Sequence, residues 1–126
     1  MAGGALSIVT AVASRYESLI AFALSLPEAF EDMPWEGDVV TKVNKKIFVF
    51  FGTAATGSIA VKLPESQDHA LTVEGASPTG YGLGRHGWVT VPVKGTGAPS
   101  VDVLRDWIEE SYRAVAPKRL VARLDG

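Results

Sequence analysis

An α+β domain of two layers is the fold this sequence predicts, with one antiparallel β-sheet and the N- and C-terminal helices packed on one of its faces. Three observations predict it. Apolar residues recur at helical spacing near each end of the chain, and four β-branched and aromatic runs lie between them, separated by turn-forming residues. The 126 residues, 47% of them hydrophobic, are enough for one domain with a real core, so residues 1–126 are expected to fold as a single unit.

The start, MAGGALSIVTAV, is apolar but lacks a basic n-region, and Arg15 and Glu17 interrupt it well short of the roughly 18 residues a membrane span needs. Leu6, Val9, Val12, Tyr16, Leu19, Ile20 and Ala23 instead mark an amphipathic helix over about residues 5–25, stopped by Pro27. With no export, span or lipidation signal, the cytoplasm is the expected location and no membrane is an expected partner. LPEAFEDMPWEGD follows, read as a loop with a short edge strand. Strands are expected at Val39–Val43, Ile47–Phe51, Ser58–Leu63 and Trp88–Val93. Asn44-Lys45, Gly52–Gly57 and the glycine-rich Tyr81–Gly87 approach punctuate them. A short helix suits Pro64–Val73, with proline in its first turn and Gly75 beyond its end. Ser100 is the N-cap of a second long helix that places Val101, Leu104, Trp107, Ile108, Tyr112 and Val115 on one face. After Pro117, Lys118–Arg123 is expected to make a basic final turn or short helix that frays at its end.

Helices on one face leave the other open. Ile47-Phe48-Val49-Phe50-Phe51 is apolar at every position, so in any register at least two large side chains point away from the helices. A two-residue loop places Phe48 and Phe50 beside Thr41 and Lys46, and a three-residue loop places them beside Val40 and Lys42; the register is open at this level. Either predicts an aromatic patch near lysine, extended by Trp88 or Val89. Such a patch fits a protein partner, a homodimer or cover by the C-terminal tail.

Charge is uneven although the net is only −2. Residues 1–41 hold Arg15 against six acids, whereas residues 42–62 hold Lys42, Lys45, Lys46 and Lys62 and no acid. The chain has no cysteine, which excludes a thiolate nucleophile, a redox pair, a zinc finger and disulfides, and fits a reducing compartment. No GxSxG elbow is present. Gly80-Tyr81-Gly82-Leu83-Gly84 lacks the GK[ST] ending of a phosphate loop and any surrounding βαβ unit. No catalytic residue, cofactor or metal is expected. His69 and His86 lie in different elements, and Glu28, Glu31, Asp32, Glu36 and Asp38 spread across a proline-interrupted loop rather than converging.

Taken in order, LPEAFEDMPWEGD, VTKVNKKIFVFFG, SIAVKLPE, GYGLGRHGWVTVPV and VDVLRDWIEESYRAVAPK resemble the MmcQ/YjbR family of small bacterial proteins over about residues 18–120. The marks are Leu26-Pro27 followed by acids and Pro34-Trp35, Lys46 after the first hairpin, and Arg85-His86-Gly87-Trp88 opening a late strand. The resemblance implies a CyaY-like fold and DNA binding through a proposed double-wing motif, without catalysis. One departure is Asn44-Lys45 where the family's hairpin often carries glycine, which adds charge at the tip. On this reading Lys42, Lys45, Lys46 and Lys62 contact phosphates, Arg85 and His86 approach backbone or base edges, and Trp88 or the Phe48/Phe50 pair stacks on bases. Four phosphate contacts imply a salt slope of about −3.6, hence weak and salt-sensitive binding. The alternative is a protein-interaction or small-ligand module using the aromatic sheet face, with a pocket lined by Trp35, Tyr81 and Arg85. A concave cavity there favours a ligand, and a flat basic face favours nucleic acid or protein.

Overall fold

The computed structural model describes residues 15–35, 38–52 and 57–126. Helix α1 is described over residues 15–25, the earlier part of the expected helix lying outside the described residues. Strands β1 (Phe30–Trp35), β2 (Asp38–Val43), β3 (Lys46–Gly52) and β4 (Ser58–Lys62) precede the short helix α2 (Gln67–Leu71). Then come β5 (Ser77–Pro78), a 3-10 turn (Leu83–His86), β6 (Trp88–Pro92), α3 (Val101–Val115) and α4 (Lys118–Asp125). Among the described residues the sheet has six strands in the order β1-β2-β3-β4-β6-β5, every pair antiparallel. The α+β two-layer sandwich expected from sequence is the architecture observed. The edge strand in the acidic segment is present as β1, whereas the two-residue β5 carried no sequence signal.

One face of the sheet carries the core. Phe51, Ile59, Val61, Val89 and Val91 alternate inward and meet Tyr16, Leu19 and Ala23 of α1 and Leu104, Trp107, Ile108 and Tyr112 of α3, all of them buried. The cap at Ser100 is real: its Oγ accepts from the Val103 N–H at 3.2 Å. Arg15 fastens α1 to the far end of β6 by donating to the Val93 carbonyl at 2.6 Å and the Pro99 carbonyl at 3.1 Å.

The β2–β3 hairpin closes through two residues, Val43 pairing with Lys46. Asn44 and Lys45 both have positive φ, 51° and 67°, the conformation that matches strand twist in two-residue hairpins and that favours Asn-Gly. From Val43 to Thr41 the register then slips, because Lys42 faces Ile47 while Thr41 faces Val49 and Phe48 is left without an opposite residue. This bulge is why Phe48 and Phe50 do not share a face. Phe48 turns toward the helices, fully buried and edge-on to Tyr112 at 5.3 Å, while Phe50 turns to the other face. The expectation that both rings face outward is corrected; Ile47 and Phe50 are the large side chains that do.

The bulge also parts β3 from β4. Their ladder pairs Val49 with Val61 and Phe50 with Ala60 and goes no further. The next backbone groups are served by Ser111 of α3, whose hydroxyl donates to the Phe48 carbonyl and accepts from the Lys62 N–H at 2.8 Å. A helix hydroxyl thus replaces a rung of the sheet.

The C-terminal tail lies with the helices and not over the opposite face. Leu120 of α4 is fully buried in the core, and Arg113 pairs with Asp125 at 2.8 Å, so the final turn is tied rather than frayed. Arg119 donates to Glu28 at 3.0 Å, with Arg123 3.5 Å from the same carboxylate. The hydrogen bond and charge of Arg119 hold the Glu28 carboxyl below its ordinary range. A carboxylate depressed on folding stabilises above its unfolded pKa, and that stabilisation is lost as pH falls through the folded value. Glu28→Gln is therefore expected to lower the melting temperature slightly at neutral pH, as exposed pairs do. The gap from the parent protein should close in acid, and melts at a series of pH values check it.

Candidate functional site on the outer sheet face

Opposite the helices, the register sets out a row of side chains across one end of the sheet. Phe30 faces Lys42 and Lys42 faces Ile47, while two strands on Lys62 faces Trp88. Because the strands are antiparallel, this end also collects the Asn44-Lys45 hairpin tip, the start of β3 at Lys46 and the 3-10 turn that runs into β6. Six cationic or titratable residues chosen from sequence, Lys42, Lys45, Lys46, Lys62, Arg85 and His86, are therefore brought to one end of the molecule.

Their states differ. Lys42 is paired with Asp32 on the neighbouring strand at 2.7 Å, and that partner's carboxyl is held below its ordinary range first by the lysine hydrogen bond. Lys45 and Lys46 are exposed, Lys62 is half-buried, and none of the three has an ion pair among the described residues. Arg85 and His86 are exposed at the end of the 3-10 turn. That turn is bracketed by Gly82 and Gly87 at φ 79° and 87°, left-handed conformations in which a side chain is strained, so the glycines allow the chain to reverse into β6. Glu65 is an exposed acid at the same end, and nearby Glu110 of α3 is spent accepting from the Glu65 and Ser66 N–H groups at 2.9 Å.

Two expectations about aromatics are corrected. Trp88 is only 7% exposed and packs edge-on against Phe50 at 5.3 Å, so it is a packing residue and not a free stacking platform. The outer face is also no broad aromatic patch: Phe48 is buried inward, Phe50 is half-buried, and the exposed aromatic side chains Phe30 and Tyr81 stand at its margins.

What the outer face does hold is concave. The segment after β5 rises over the sheet, anchored by the Thr79 N–H on the Trp88 carbonyl at 3.0 Å and by the Thr79–Thr90 hydroxyl contact at 3.0 Å. Beneath it lies a cavity of about 690 Å³ lined by Asp38, Phe50, Ala60, Thr79, Tyr81 and Leu83. That volume is in the range of small-molecule sites, about 300–1,000 Å³. Of the three pocket residues expected from sequence, Tyr81 lines the cavity. Arg85 does not, its guanidinium lying back toward Gly82, and Trp35 closes β1 with its side chain outside the described residues. Sequence reasoning missed Asp38, Phe50, Ala60, Thr79 and Leu83 as lining. Only the strand alternation of β2, β3 and β4 would have pointed to the first three.

Among the described residues no helix is long and apolar enough to cross a membrane. No curated protein and no solved structure matches the chain. A family model described as YjbR matches residues 24–114, the stretch that runs from the end of α1 through nearly all of α3 and includes every strand, the basic sheet end and the cavity; this chain belongs to the YjbR family.

Proposed function

We propose that the protein binds nucleic acid through the basic end of its sheet, without catalysis, Lys45, Lys46, Lys62 and Arg85 meeting phosphates and His86 lying alongside. The observation that carries this reading is the convergence of these side chains, from four separate elements, with no ion pair among the described residues. Lys42 and Trp88 are left out of the contact set because Asp32 and Phe50 already occupy them. Lys45 adds a second point of support: it holds φ 67° where glycine is free of strain, so a cation is kept at the tip at a conformational cost of about 1 kcal/mol.

Four contacts on duplex DNA give a slope of log K against log salt of about −3.6, so affinity falls roughly 150-fold from 50 to 200 mM salt. A retardation assay with purified protein, duplex and single-stranded DNA and these two salt concentrations tests the reading. Absence of any shift at 50 mM would remove it. Lys45→Gly is expected to separate stability from binding: it should raise stability by about 1 kcal/mol in denaturant melts, by relieving the tip, while making the salt slope shallower by about 0.9.

A second reading is favoured by the cavity under the Thr79–Leu83 segment, which suits a small, largely apolar ligand better than a flat surface would. The two sites are adjacent and do not share residues.

A further inference from the structure

From the chemistry of its walls we infer that the outer-face cavity takes an organic cation with an apolar body, such as an aryl-alkyl amine. The inference rests on the second reading, that the cavity holds a small ligand, and adds which class. Phe50, Ala60 and Leu83 make the apolar surface, and Thr79 is occupied with Thr90. The one ionisable carboxylate in the described lining is Asp38, exposed and without an ion pair among the described residues, and the described lining contains no cation. A phosphate or carboxylate ligand would face Asp38 with no cation of the described lining to neutralise it, whereas an ammonium gains a charge-assisted hydrogen bond there.

Tyr81 points the same way. It is fully exposed, at 105% of its reference area, and sits at φ 59°, a strained conformation for a bulky residue. Nothing in its packing repays that strain. Tyr81 and the half-buried Phe50 both line the cavity, which supplies two aromatic rings of the kind whose quadrupoles attract an organic cation.

Tryptamine and its neutral counterpart tryptophol, titrated into the full chain and followed by backbone amide chemical shifts, form the test. Tryptamine is expected to bind about tenfold or more tightly than tryptophol, with shifts at Asp38, Phe50, Ala60 and Leu83. Asp38→Asn should erase that preference while leaving tryptophol binding as it was. Tyr81→Ala should weaken tryptamine more than tryptophol. Both substituted side chains are exposed, so the fold is not at stake. Ala60→Leu, which projects into the cavity, should reduce binding of both compounds. Equal binding of the two compounds, or a preference that survives Asp38→Asn, overturns the inference and leaves the ligand cavity standing. No shift at any lining residue with either compound overturns both.

Discussion

The Lys45→Glu/Lys46→Glu double variant is expected to abolish DNA retardation at 50 mM salt. Two of four phosphate contacts are lost, which alone takes the salt slope from about −3.6 to about −1.8. Two reversed charges then face the same phosphates from the hairpin tip, and with Glu65 at the same end of the sheet the local balance changes sign. Stability should not fall, since both side chains are exposed and neither has an ion pair among the described residues to lose. Lys94→Glu is the matched control: Lys94 follows β6 and so lies at the opposite end of the sheet from the hairpin tip. It should leave the slope unchanged. If the double variant shifts DNA like the parent, the hairpin is not the binding surface; if Lys94→Glu abolishes the shift, the surface lies at the other end.

Ser111→Ala is expected to be the most damaging small substitution in the chain. Removing one hydroxyl strands two backbone groups at once, the Phe48 carbonyl and the Lys62 N–H, at a place where α3 covers the sheet and the serine itself is fully buried. Each stranded group costs roughly 1–3 kcal/mol, which puts the loss at about 2–6 kcal/mol and the fall in melting temperature at about 10 °C or more. Hydrogen exchange gives an independent sign, because the Lys62 amide should lose protection while that of Val61, inside the ladder, keeps more of it. A variant melting with the parent and retaining Lys62 protection would mean that the bulge closes on its own. The two predictions meet at Lys62, whose backbone holds the sheet and whose side chain belongs to the proposed contact set.

How much of this was legible beforehand follows from how far apart the interacting residues lie. Ser100 as N-cap, a turn at Asn44-Lys45, the glycine-flanked approach to Trp88 and the inward stripe of α3 depend on residues within a few positions of one another, and all appear as expected, whereas the choice of a two-residue over a three-residue loop at that turn was open in the sequence. The clustering of basic residues at one sheet end also follows once the strands are antiparallel. The split of Phe48 from Phe50 does not, because the bulge that divides them is served by Ser111, 63 residues away. Nor does the pairing of Lys42 with Asp32, the burial of Trp88 against Phe50, or a cavity whose wall is a loop lifted from the far edge of the sheet.

The sequence by itself thus determined the main elements other than β5, their order, the two layers and a basic segment, since periodicity, caps and turn chemistry act locally. Only the tertiary structure decided which rings are buried, which lysines are free and where the surface is hollow. Those outcomes depend on which side chains meet across strands and between layers, and a chain written in one dimension does not contain those distances.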